Sequence, residues 1–201
     1  MPWVQVVVGR GHGGEGSSPN YACKVVGEFP RLTLAALHFS AFFSFLALPT
    51  SPYSGLFAMV WGLFFGVYGL ATLTSMLVDR ANGALLGTIA SLIMACLCGY
   101  GPNLIQGKEW GIFVLQDLSY TRYANELWVH LEVESYRDVF VAENIPAGSF
   151  GFTLDRPIYD IVMMVVLGLA MRGMAYLCLV MVVGDGDLGI SGVWKWCRGA
   201  K

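Results

Sequence analysis

Charged residues are scarce in this chain, making up 13% of its 201 residues against about 25% in ordinary soluble domains. With 56% hydrophobic residues and a mean hydropathy of +0.60, there is too little polar surface to cover a core in water. The formal net charge is −2, so the basic footprint that nucleic acid requires is lacking. Five cysteines (Cys23, Cys96, Cys98, Cys178, Cys197) are scattered and imply no disulfide framework. The three histidines (His12, His38, His130) share no metal-ligand spacing, and no metal site is expected. His38 reads as a packing residue or a pore-lining group. No Asn-x-Ser/Thr acceptor, internal repeat or long low-complexity tract occurs. The start, "MPWVQVVVGRGHGG", has an apolar run too short for a secretory h-region. Gly9, Gly11 and Gly14 outline a dinucleotide fingerprint, but "EGSSPN" follows where that motif opens a helix. A flexible lead-in is the expectation there.

What the chain has instead is length in its apolar runs. Four segments approach the roughly 20 apolar residues of a membrane helix, at about 23–48, 55–78, 83–100 and 158–183. The last contains Arg172, which costs about 2.5 to 3.5 kcal/mol at a helix centre. About a dozen Leu, Ile and Val, each worth about −0.3 to −0.6 kcal/mol, outweigh it. Arg172 is expected to pair inside the bundle or to snorkel toward the cytoplasm. Links at 49–54, "PTSPYS", and 79–82, "DRAN", are short. Lys and Arg concentrate in "DRAN", the N-terminal segment and the C-terminal tail. The positive-inside rule then places both termini in the cytoplasm and the segment 101–157 on the other side. The fold class expected is an all-α integral membrane protein with four transmembrane helices and short re-entrant or interfacial helices. Residues 1–20 form a disordered cytoplasmic lead-in on this reading, and 184–201 a cytoplasmic tail.

Between the third and fourth segments lies "LQDLSYTRYANELWVHLEVESY", residues 115–136, which is polar, aromatic and helix-patterned. Tyr120, Tyr123, Ala124, Leu127, Trp128 and Leu131 recur on one helical face. Arg122 and Glu126 stand four apart and are expected to pair, with part of that pairing surviving an exchange of the two charges. The helix either docks on the span bundle or is a solvated tether. Upstream, "NLIQGKEWGIFVLQD" is too short to span and reads as re-entrant or interfacial.

"SYTRYANEL" (119–127) resembles the S-Y-x-R-Y-A-x-E-A-L segment of ABC transporters of the G subfamily. "GLAMRGMAYL" (168–177) is similar to the G-x-x-x-R-x-x-A-Y pattern of that family's last span, and "KVVGEFPRL" (24–32) to the start of its third. The motif residues are Ser119, Tyr120, Arg122, Tyr123, Glu126, Gly168, Arg172, Tyr176, Glu28, Pro30 and Arg31. The order of spans fits too, and the likeness is strongest to half-size plant and protist members. It implies that 21–183 is the C-terminal part of an ABC type-2 transmembrane domain. Leu127 stands where the family has Ala, and "CGYGPNLI" does not reproduce the paired leucines of an extracellular plug. No phosphate loop, Walker aspartate or signature motif occurs in the chain.

The function implied is the membrane part of an ATP-driven transporter that moves a lipophilic substrate by alternating access. ATP and Mg belong only to the absent nucleotide-binding domain, supplied in cis or in trans, so no cofactor is expected in this chain. Partners implied are membrane lipid and a second transporter half, as homo- or heterodimer. One face of the third span, Leu85, Ile89, Leu92, Ile93, Cys96 and Tyr100, is the candidate substrate path; ordinary packing is the other reading of that face. A truncated, non-transporting subunit that regulates a complete half-transporter is the alternative function. No acid, base or nucleophile set converges in any span, so no catalytic residue is assigned and the chain is not expected to be an enzyme.

Overall fold

A computed structural model of the chain describes residues 17–78, 80–134, 136 and 150–184, and all regular structure in it is helical. The lead-in before Ser17, most of the loop 135–149 and the tail after Gly184 lie outside the described residues. In chain order the helices are α1 (Ser17–Ala47), α2 (Tyr53–Leu77), α3 (Arg80–Cys96), α4 (Leu104–Glu109), α5 (Phe113–Asp117), α6 (Tyr120–Glu134) and α7 (Pro157–Gly184).

Three of these contain stretches long and apolar enough to cross a membrane: Val25–Ala47, Tyr53–Leu77 and Pro157–Val180. The third expected span differs. Its apolar helix, Asn82–Cys96, is shorter than a standard span, because the chain turns where the apolar run continues. Gly99 has φ +84°, a conformation open to glycine and strained for other residues, and Pro102 follows with no N–H for a continuing helix. At 1.5 Å per residue the 17-residue α3 is about 25 Å long, against a hydrocarbon core of about 30 Å.

α2 is the central element, in contact with α1, α3, α6 and α7. It carries no charge and can therefore be surrounded. Its approach to its neighbours is close because side chains are absent where backbones meet. A Cβ on Gly66 would stand 2.7 Å from the Tyr120 ring of α6, and one on Gly168 of α7 would stand 2.5 Å from Phe65. Small residues at such contacts are how helices gain dispersion contact where lipid offers no hydrophobic drive. The main core joins Ala36 of α1, Leu56, Val60 and Leu70 of α2, Tyr120 and Leu127 of α6, and Met164 and Met171 of α7. A second, smaller core of Leu104, Phe152 and Leu154 sits beside Val129 and Val133 of α6.

Proline placement sets the first link. Pro30 lies inside α1, while Pro49 and Pro52 bracket the turn to α2. Leu48, just past α1, has φ +47°, so a leucine occupies a left-handed helix-terminating position where glycine is the usual choice.

Candidate functional site

Five of the six candidate path residues share one face of α3. Leu85, Ile89, Leu92, Ile93 and Cys96 are exposed along α3, and Tyr100 is exposed in the turn beyond it. The other side of α3 is occupied: Ala90 and Met94 pack on the main core. The helix thus has a packed face and an apolar face that no described part of this chain covers.

α6 holds the neighbouring ends of the other elements through polar side chains. Near its start, Ser119 Oγ donates to the Met94 carbonyl at 3.0 Å, and the Thr121 hydroxyl donates to the same carbonyl. Asn125 Nδ2 donates to the Cys98 carbonyl at 3.3 Å. These bonds take up carbonyls in the last turn of α3 and beyond it, which an ending helix leaves without intrahelical donors. Glu126 is 2% exposed, and its Oε1 accepts from Thr153 N at 2.5 Å and Thr153 Oγ1 at 2.7 Å. Glu132 accepts from Thr50 Oγ1 at 2.7 Å and Ser51 Oγ at 3.1 Å. One amphipathic helix therefore reaches the α1–α2 turn, the end of α3 and the approach to α7.

Arg122 pairs with Asp117, while its Nε stands 3.9 Å from Glu126 Oε2, too far for a hydrogen bond. The expected Arg122–Glu126 pair is thus a looser charge contact, and the shorter bonds of Glu126 go to Thr153. Buried Asp160 of α7 adds another carboxylate close enough to interact with Glu126 and Arg122. Tyr120 and Tyr123 are buried in the same layer. Burial pushes the Tyr120 phenol up to about 12. It raises Tyr123 as well, with Arg122 pulling the other way. Tyr123 donates its hydroxyl proton to the Asp117 carbonyl at 3.0 Å.

Arg172 lies deep in the bundle, 5% exposed. Its Nη1 donates to the carbonyls of Phe65 at 2.9 Å and Gly168 at 3.1 Å, and its guanidinium carbon lies 3.9 Å above the Phe65 ring. The absence of a side chain on Gly69 leaves this path open, since a Cβ there would stand 3.2 Å from Nη1. Tyr21 of α1 donates to the Arg172 carbonyl at 2.9 Å and packs its ring on Tyr176 at 5.5 Å. Glu28 is half-buried and interacts electrostatically with Arg172, whereas Pro30 and Arg31 are exposed. Nine of the eleven motif residues thus separate into two groups, one around Arg122 and Glu126 and one around Arg172.

Several partners had no local signal in the sequence. Thr153 is 27 residues from Glu126, and Phe65 is 107 from Arg172. Asp117 could have been found, being one helical turn and a bend before Arg122. The Ser119–x–Thr121 pair could have been read as two hydroxyls near a helix start, a common capping arrangement.

The family described as ABC-2 type transporter matches residues 20–184, which takes in all seven helices apart from the first three residues of α1. The chain belongs to the ABC-2 type transporter family. What matches is a membrane domain, and its three apolar helices make the chain a multi-pass membrane protein. The chain is also 28% identical over 89 residues to "ABC-type transporter claG" of Penicillium crustosum. That stretch is 44% of this chain and 12% of the fungal protein, so the chain spans a small part of the length of this relative. No solved structure matches. Within this ABC-2 membrane domain, the α6 layer is tied to the end of α3 through the Met94 carbonyl.

Proposed function

We propose that this chain is the membrane-spanning part of an ATP-driven transporter of the G-subfamily type, and that it moves a lipophilic substrate. The observation that carries the reading is the two-sidedness of α3. Leu85, Ile89, Leu92, Ile93 and Cys96 are exposed and apolar, while the opposite face packs on the core. In a dimer of two such halves, those faces would flank a central path. The path is closed and opened by movement of one half against the other, as in other two-state transporters. ATP hydrolysis is supplied by a nucleotide-binding domain in cis or in trans. On this reading both termini face the cytoplasm and α4 to α6 lie at the opposite membrane surface. The α6 ties make that end of the half a single mechanical unit.

Site-directed cross-linking tests the paired-path reading. In a background without native cysteines, Ile89→Cys and Leu92→Cys should form a disulfide-linked dimer in membranes on mild oxidation. Ala90→Cys, on the packed face, should not. Equal cross-linking at all three positions, or none at Ile89 and Leu92, would count against two α3 faces meeting across a path.

A further inference from the structure

At the α6 end of the α3 face, three aromatic rings form a parallel stack. The Tyr100 and Phe150 rings lie 5.3 Å apart at 17°, and those of Phe150 and Phe152 lie 5.8 Å apart at 21°. Phe152 is 2% exposed and Tyr100 is 69% exposed, so the ladder runs from the small core outward and ends on a ring open to its surroundings.

Both supports of the ladder are fixed by contacts already described. On the Tyr100 side, Gly99 turns the chain with φ +84°, its backbone passing so near that a Cβ would stand 3.2 Å from both Leu104 and Phe152. Tyr100 then bridges to Asn103, and Asn103 caps α4 reciprocally with Gln106. On the other side, the two bonds from Thr153 to Glu126 hold the strand of chain carrying Phe150 and Phe152. Gly151 fits against Ile105 there with φ +77°. An exposed tyrosine on a flexible turn would present a mobile side chain. Here the ring is backed by two others and anchored at both ends, so its outer face is presented in one orientation. Tyr100 is exposed four residues beyond Cys96, the last exposed residue of the α3 face.

We propose that Tyr100, backed by Phe150 and Phe152, is a stacking platform that selects planar, conjugated-ring compounds among lipophilic substrates. The proposal rests on the path reading of α3 above and names the substrate class of that path. An aliphatic molecule gains from the apolar face only in proportion to the area it buries. A planar π system gains in addition from offset stacking on a ring held in place, and offset ring pairs contribute beyond their area burial. Because the platform is ordered before the ligand arrives, little ordering cost offsets this gain.

The test uses the full chain in lipid nanodiscs with tritiated pyrene and its saturated counterpart perhydropyrene, each corrected for uptake by empty discs. Wild type is expected to bind both and to favour pyrene. Tyr100→Leu should weaken pyrene binding on the order of five-fold and perhydropyrene binding by clearly less, while Tyr100→Phe should keep the preference. Equal loss for the two probes in Tyr100→Leu, or no loss for either, overturns the platform while leaving the path reading standing. Binding of neither probe to wild type overturns the path reading itself. Tyr100 is exposed, and an unchanged thermal unfolding midpoint of the leucine variant in nanodiscs reports that the fold is intact.

Discussion

Two apolar surfaces on this molecule are alike in composition and different in circumstance. α1 exposes Leu34, Leu37, Phe39, Phe42 and Phe45, and α3 exposes Leu85, Ile89, Leu92 and Ile93. α1 has a stretch long enough to cross a bilayer alone, and its main neighbour is α2. α3 is shorter than the three long apolar helices, and the Met94 carbonyl in its last turn accepts from Ser119 and from Thr121 of α6, with Asn125 bonding the Cys98 carbonyl just beyond. Exposure alone therefore does not distinguish a lipid-facing surface from a path-facing one. On the proposed reading, helix length and the α6 bonds at the end of α3 separate the two. On that same reading, a helix long enough to cross a bilayer suits a lipid boundary, whereas a shorter helix held at one end by α6 suits the inside of a larger assembly.

The largest effect that could break this contrast is a buried charge. Leu34→Asp, near the middle of the α1 span, should destabilise the inserted protein by about 3 kcal/mol if that face meets lipid. Ile89→Asp should cost under about 1 kcal/mol if the α3 face meets an aqueous path. Thermal stability in nanodiscs checks both, and equal losses would erase the distinction. Next in size is Glu126→Ala, expected to cost about 2 kcal/mol because Thr153 N–H and the Arg122 guanidinium both lose a partner. Exchanging Arg122 and Glu126 should recover little, since a guanidinium cannot accept from the Thr153 amide. Recovery to near wild-type stability would show that the loose ion pair, not the Thr153 tie, dominates.

Much of this arrangement was legible in the sequence. The helical period of Tyr120, Tyr123, Leu127 and Leu131 marked α6, and the uncharged run 55–78 marked α2. The expected span 83–100 runs past the end of α3 at Cys96 because hydropathy counts Leu97, Cys98 and Tyr100 as apolar whatever the backbone does. The turn signal Gly99–Tyr100–Gly101–Pro102 straddles the end of that run, with Gly99 inside it and Pro102 just beyond. The Arg122–Glu126 spacing suggested the nearest charge as the partner, but Glu126 bonds to a backbone amide across a loop. Long-range bonds of that kind leave no periodic trace. Nor does any pattern show that Arg172 ends on the carbonyls of Phe65 and Gly168, since every residue supplies a carbonyl.

Smaller effects sharpen the contrast further. Ser119→Ala with Thr121→Val should cost about 1 kcal/mol and should raise hydrogen exchange at the end of α3, with α1 unchanged. Protection that falls equally in α1 would argue against α6 acting on α3 in particular. On the α1 side, Leu48→Gly should stabilise the protein by up to about 1 kcal/mol by relieving a left-handed leucine. A loss of stability there would mean that the Leu48 side chain contributes more by its contacts than its backbone costs.

The contrast is most directly tested by thiol labelling in native membranes, with single cysteines at Leu34, Ile89 and Leu92 in a cysteine-free background. A water-soluble, membrane-impermeant maleimide applied to inside-out and right-side-out vesicles should modify Ile89→Cys and Leu92→Cys from at least one side and leave Leu34→Cys unmodified. Labelling of Leu34→Cys as fast as the α3 positions, or silence at both α3 positions from both sides, would contradict a water-accessible path along α3.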